Sequence, residues 1–167
     1  MPETRAPSFV VRPAVPDDAA GCALVHHTSW KETYSALLPA AHWETDTLER
    51  RTAGWRRELD GGAVVAVAES GGRVVGLAIG GPGRAMSGHA PVRERELWSL
   101  YVLAARHGTG VGQSLLDAVI SPGVPAQLWV AEENPRARRF YARNGFLPDG
   151  ARHVDEAHGI ASVRLVR

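Results

Sequence analysis

The chain has 167 residues, 44% of them hydrophobic, with 19 basic and 18 acidic side chains; that length and apolar content predict one domain, residues 1–167, with a real core. A net charge of +1 gives no electrostatic case for a nucleic-acid or membrane-surface partner, and the single cysteine, Cys22, excludes an intrachain disulfide and thiolate metal clusters. No run approaches the roughly 18 apolar residues of a membrane helix, and Met1 to Pro7 lacks the apolar stretch of a signal peptide, so a cytoplasmic protein is the expectation.

Phe9-Val10-Val11-Arg12 reads as a short strand. Pro13 to Asp18 is a turn whose proline and acidic residues open a helix to about Trp30, with Ala20, Leu24, Val25 and Thr28 at helical spacing. Leu37-Leu38-Pro39 breaks it. A second helix is predicted from about Pro39 to Leu59, stopped by Asp60-Gly61-Gly62. Ala63 to Ala68 and Arg73 to Ile79 flank Ser70-Gly71-Gly72 as a hairpin. The glycine- and proline-bearing segment from Gly80 to Arg93 is expected to move, in the manner of a lid. Glu94 to Leu103 is the fourth strand, Gly110 to Ile120 a helix and Gln127 to Ala131 a fifth strand. Asn134-Pro135 starts a helix through Arg143 that Asn144-Gly145 ends, and Phe146 to Arg152 and Ile160 to Val166 are closing strands.

The most informative stretch is Leu97 to Val102 running into Arg106-His107-Gly108-Thr109-Gly110-Val111-Gly112-Gln113. It is a strand, a glycine-rich turn and a helix. Glycines at 108, 110 and 112 let the backbone approach a ligand and leave successive N–H groups free to converge on oxyanions, with the positive end of the helix dipole behind them. A nucleotide-hydrolase loop would need Gly-Lys-Ser/Thr, and Gln113 stands where the Lys should be. A dinucleotide turn would need G-x-G-x-x-G in an opening βαβ unit; the spacing here is G-x-G-x-G, two-thirds along the chain, although Glu132 lies at a suitable distance.

Leu100-Tyr101-Val102 followed by His107-Gly108-Thr109-Gly110-Val111-Gly112 resembles the pyrophosphate turn of the GNAT superfamily of acetyl-CoA-dependent N-acetyltransferases, [Gln/Arg]-x-x-Gly-x-[Gly/Ala] after a Leu-x-Val strand. His107 departs from the family's Arg or Gln. Asn134-Pro135-Arg136-Ala137 through Tyr141 to Gly145-Phe146 resembles the family's N-x-x-A-x-x-x-Y-x-x-x-G-F signature. The resemblance covers the whole chain and is most specific from Glu96 to Phe146. It implies an α/β (α+β) GNAT fold, with a mixed, mostly antiparallel sheet of six to seven strands flanked by about four helices.

It also implies an enzyme that moves the acetyl group of acetyl-CoA to a primary amine by direct transfer in a ternary complex, without a metal or a cysteine nucleophile. Leu100, Tyr101, Val102, His107, Gly108, Thr109, Gly110, Val111, Gly112, Gln113 and Asn134 would bind the cofactor, with Asn134 also capping its helix. Tyr141 would protonate the leaving thiolate. A primary amine with a pKa of about 10 must lose a proton before attack; Glu96 is nominated to take it, with Glu94 or a water chain as substitutes. The amide of Tyr101 or Val102 would stabilise the oxyanion. In this fold the first two helices and the third-to-fourth strand loop wall the acceptor side, which nominates Trp30, Tyr34, His27 and Trp43, with His26 and His42 beside them. Packing between the two helices competes with ligand contact for the tryptophans. The expected acceptor is a small molecule such as an amino-sugar antibiotic, a polyamine or an amino-acid derivative. A protein N-terminus or lysine, or a degenerate acyl-CoA sensor, are the alternatives. A monomer or homodimer is expected.

Overall fold

The computed structural model describes residues 8–167; the Met1 to Pro7 leader lies outside the described residues. Seven strands hydrogen-bond in the order β1 (Val10–Pro13), β2 (Val64–Ser70), β3 (Arg73–Pro82), β4 (Arg95–Val102), β5 (Gln127–Ala131), β7 (Ala161–Val166), β6 (Leu147–Val154). The β4–β5 pair is parallel, whereas β1–β2, β5–β7 and β6–β7 are antiparallel. Five α-helices accompany them among the described residues: α1 (Ala19–Tyr34), α2 (Ala40–Thr45), α3 (Leu48–Asp60), α4 (Val111–Val119) and α5 (Pro135–Arg143). No helix among the described residues is long and apolar enough to cross a membrane.

The single helix expected from Pro39 to Leu59 is two helices. Asp46 leaves helical geometry (φ −86°, ψ 77°), and Thr47 is extended with its hydroxyl accepting from Arg50 N, which caps α3. The Asp46 carboxylate then accepts from Arg51 Nε at 2.6 Å and Nη2 at 2.7 Å. α1 runs one turn past Trp30, and β3 extends to Pro82.

Contacts group the chain into two compact units. The first, residues up to 79 together with 99–119, is built around fully buried Cys22, Val25, Val67, Leu77, Leu115 and Leu116. A Cβ at Gly76 would lie 2.9 Å from Leu115 Cδ1 and 3.1 Å from Tyr101 O, so only glycine lets β3 pass this close to α4 and β4. Arg12 of β1 bonds both Asp18 and Glu69 at 2.8 Å, which ties the entry to α1 to the neighbouring strand.

The second unit, residues 80–98 and 120–167, buries Leu128, Phe146 and Leu165. Arg164 is 7% exposed, and its Nε donates to Asp149 Oδ2 at 2.7 Å. The β6–β7 register shifts between Pro148 and Arg152. The segment after β3, whose composition suggests a moving lid, is bonded at both ends: Gly83 N donates to Glu94 O, and Val92 N and Arg93 N donate to the Gln127 side chain.

Candidate active site

In the first unit, the turn before α4 has the geometry its glycines suggest. Gly108 (φ +74°) and Gly110 (φ +89°) are left-handed, and a Cβ on either would meet nothing within 4 Å. They are glycines because of backbone conformation and open space above them, not because of crowding. Gly112 lies inside α4. The first α4 bond runs from Ser114 N to Gly110 O, so the amides of Val111 and Gly112 come ahead of the helix's own bonding. This backbone fits a pyrophosphate.

The side chains of the turn are engaged with the protein. His107 Nε2 donates to Val102 O at 2.9 Å, Thr109 Oγ1 to Arg106 O at 2.7 Å, and Gln113 Nε2 to Asp117 Oδ1 at 2.9 Å. The His107 bond stitches the turn to the end of β4. Sequence spacing alone gives no signal for it.

Beside the end of β4, still in this unit, the nominated acceptor residues form a cluster of rings. Trp30 Nε1 donates to Tyr101 Oη at 3.1 Å, and Tyr34 lies 4.7 Å from Trp30. His26 stacks on Tyr101, and Trp55 donates to its Nδ1 at 3.3 Å. Burial, with the Arg51 charge, pushes the His26 pKa down to about 3, so the ring is neutral. Burial pushes Tyr34 up to about 12. His27 Nδ1 lies 3.3 Å from Asp46 Oδ2, and Trp43 meets His27 edge-on at 6.2 Å. Burial acts to raise the Asp46 pKa, yet the Arg51 bonds hold it below the usual carboxylate value. Trp55 and Tyr101 belong to this group; nomination by helix position alone omits both. Cys22 is fully buried, and burial pushes its thiol up to about 12, so it offers no thiolate.

The second unit holds the other motif. Asn134 caps α5, its Oδ1 accepting from Ala137 N at 3.1 Å. At the far end, Phe146 N donates to Tyr141 O and Gly145 N to Ala142 O, with Gly145 at φ +83°. This is a Schellman ending. It sets fully buried Phe146 edge-on to Tyr141, which is itself 7% exposed. The Gly-Phe pair that closes the signature thereby fixes the Tyr141 ring.

Glu96, on β4, is 1% exposed. Its Oε1 accepts from Arg84 Nε and Nη2 at 3.2 and 3.1 Å, and its Oε2 from Arg84 N at 2.9 Å and Gln127 Nε2 at 2.7 Å. Strand alternation puts the adjacent Arg95 on the other face, and Arg93 Nε donates instead to Arg167 O at 2.9 Å.

The Acetyltransferase (GNAT) family model matches residues 23–146. The chain belongs to the GNAT acetyltransferase family. YuaI of Bacillus subtilis, an uncharacterised N-acetyltransferase, is 30% identical over 161 residues, 93% of this chain and 87% of its own length. Ribosomal-protein-alanine N-acetyltransferase from Brucella melitensis has a similar structure, with a TM-score of 0.69 and 25% identity over 95% of this chain and 98% of that one. PaiA N-acetyltransferase from Thermoplasma acidophilum, solved in complex with coenzyme A, shares the fold, with a TM-score of 0.65 and 19% identity over 94% of this chain and 98% of that one. This GNAT chain is therefore an acetyl-transferring enzyme.

Proposed function

We propose that this enzyme transfers the acetyl group of acetyl-CoA to a primary amine of a small molecule, with residues 1–167 acting as one cytoplasmic acetyltransferase domain. The observation that carries the reading is the pair of left-handed glycines at 108 and 110 ahead of the α4 N-terminus. They present backbone amides to a pyrophosphate without a side chain in the way. Leu100, Tyr101 and Val102 are assigned the pantetheine arm, and Asn134 the same arm from the cap of α5.

In the reaction, the amine nitrogen attacks the thioester carbonyl carbon. The oxyanion is held by the Tyr101 or Val102 amide, the C–S bond breaks, and the Tyr141 hydroxyl protonates the departing thiolate. Three routes are open for the amine's proton: the Glu96 carboxylate, the exposed Glu94 carboxylate and a water chain. Four donors already fill about the four lone-pair sites of the Glu96 carboxylate, which favours Glu94 or water. Direct transfer is supported by Cys22, buried and held as a thiol. Trp30, Tyr34, His27 and Trp43 are the proposed acceptor wall, whose aromatic faces suit an amine.

A panel of small amines with acetyl-CoA, assayed for free CoA, tests this. The reading expects a polyamine, amino-sugar or amino-acid derivative to release CoA above the no-amine rate, and CoA itself to raise the melting temperature. If neither CoA nor acetyl-CoA shifts the melt at about millimolar concentration while NAD or ATP does, the reading fails. A protein N-terminus is the second reading, favoured by the likeness to the Brucella enzyme, named for a ribosomal-protein alanine; peptides starting with Ala in the same panel test it.

A further inference from the structure

Glu96 and Gln127 face each other in the parallel β4–β5 register and are 1% and 0% exposed. Between them they reach both ends of the segment joining β3 to β4. Glu96 Oε2 accepts from Arg84 N at the start of that segment and from Gln127 Nε2. Gln127 Oε1 accepts from Val92 N at 2.8 Å and Arg93 N at 3.1 Å at its end. A buried carboxylate is costly unless paired and bonded, and here the Arg84 guanidinium supplies the charge while packing 4.3 Å over Trp98.

The middle of the segment is held as well. A two-residue turn at Ser87 (φ 46°) and Gly88 (φ 82°) closes the reciprocal Met86–His89 backbone pair. Arg164 Nη1 donates to Ala90 O at 2.7 Å, His89 Nε2 meets Arg152 O at 3.1 Å, and the His89 ring lies 5.6 Å from Trp129.

We propose that Glu96 and Gln127 are positioning residues: a buried clasp that holds residues 84–93 as a fixed wall, so that the acceptor meets this segment as a preset surface instead of a closing loop. The proposal rests on the acetyltransferase reading for what the wall contacts. In the clasp, Glu96 gives its lone pairs to the protein and takes no proton in the reaction.

Backbone hydrogen exchange on the wild-type protein is the first test. The Arg84, Val92 and Arg93 amides are expected to exchange as slowly as the Leu97 and Leu128 amides; exchange at the rate of exposed loop amides overturns the clasp whether or not any variant folds. Glu96→Gln is then expected to speed exchange at those three amides by about tenfold. With the amine that releases CoA fastest in the panel, it should raise KM more than it lowers kcat and leave the acidic limb of the kcat profile in place. The exchanged pair Glu96→Gln with Gln127→Glu should bring exchange and KM back toward wild type, because the carboxylate, now on β5, can still accept from the Val92 and Arg93 amides and from the carboxamide now on β4. Loss of the acidic limb in Glu96→Gln that the exchanged pair does not restore overturns the proposal and makes Glu96 the base. A wild-type protein that shows slow amides but no CoA-induced melting shift would remove the acetyltransferase reading and leave the clasp standing.

Discussion

Trp55 donates its indole N–H to Nδ1 of His26 over 3.3 Å, and the same His26 ring stacks on Tyr101 with centroids 4.5 Å apart. The first contact places the ring proton on Nε2. The second puts a neutral imidazole against the residue whose amide is proposed to meet the oxyanion.

That arrangement makes stability depend on pH. In the unfolded chain His26 binds a proton below about pH 6.5, whereas burial in the fold delays protonation to about pH 3. The folded pKa is depressed, so the contribution is fully present above about 6.5 and is lost as pH falls, by roughly 1.4 kcal/mol per unit. Urea unfolding of wild type and His26→Asn between about pH 6.5 and 5 checks this, and the variant should show the shallower slope. Equal slopes would mean that His26 protonates as readily folded as unfolded.

Gly110→Ala and Gly110→Asp separate conformation from charge at the turn. Alanine meets no neighbour but must hold a φ of +89°, costing about 1–2 kcal/mol in the melt. Aspartate adds a negative charge where phosphates are proposed to sit, and should abolish the CoA-induced melting shift that the alanine variant keeps in part. CoA binding undiminished in Gly110→Asp would remove the turn from the cofactor site.

His107→Arg breaks the bond to Val102 O but supplies the guanidinium that the family's pattern has at this place. Acetyl-CoA affinity by calorimetry should rise or hold. A loss of about tenfold, some 1.4 kcal/mol, would show that the stitch to β4 matters more than an added guanidinium.

Tyr141→Phe removes a hydroxyl and keeps the ring against Phe146. Turnover should fall by about 10²–10⁴-fold with the CoA-induced melting shift unchanged, the pattern for an acid acting on the leaving group. Full activity would leave the thiolate without the acid assigned here.

The strands and motif helices were legible because their signals are local. Gly61-Gly62 and Ser70-Gly71-Gly72 mark turns, and Asn134-Pro135 with Asn144-Gly145 gave α5 its bounds to the residue. The break after Thr45 also had a local signal, Asp46-Thr47, but an apolar pattern running on through Trp55 masked it. Glu96 was legible as a candidate base on the fourth strand and not as a buried carboxylate bonded on both oxygens. Its partners Arg84 and Gln127 lie 12 and 31 positions away, and no periodicity reports who meets whom across a loop or between strands. The same limit hid the Trp55–His26 and Trp30–Tyr101 bonds, 29 and 71 positions apart.

Anchors at Arg84, Val92 and Arg93, together with the Gly83 N to Glu94 O bond, leave residues 85–91 as an insert whose ends are fixed by groups outside it. A stretch of different length or chemistry can be spliced between those ends without asking β3 or β4 to change register. The frame is thus suited to trading acceptor preference by cassette exchange, in evolution or at the bench, while the parts that handle the acetyl donor stay as they are.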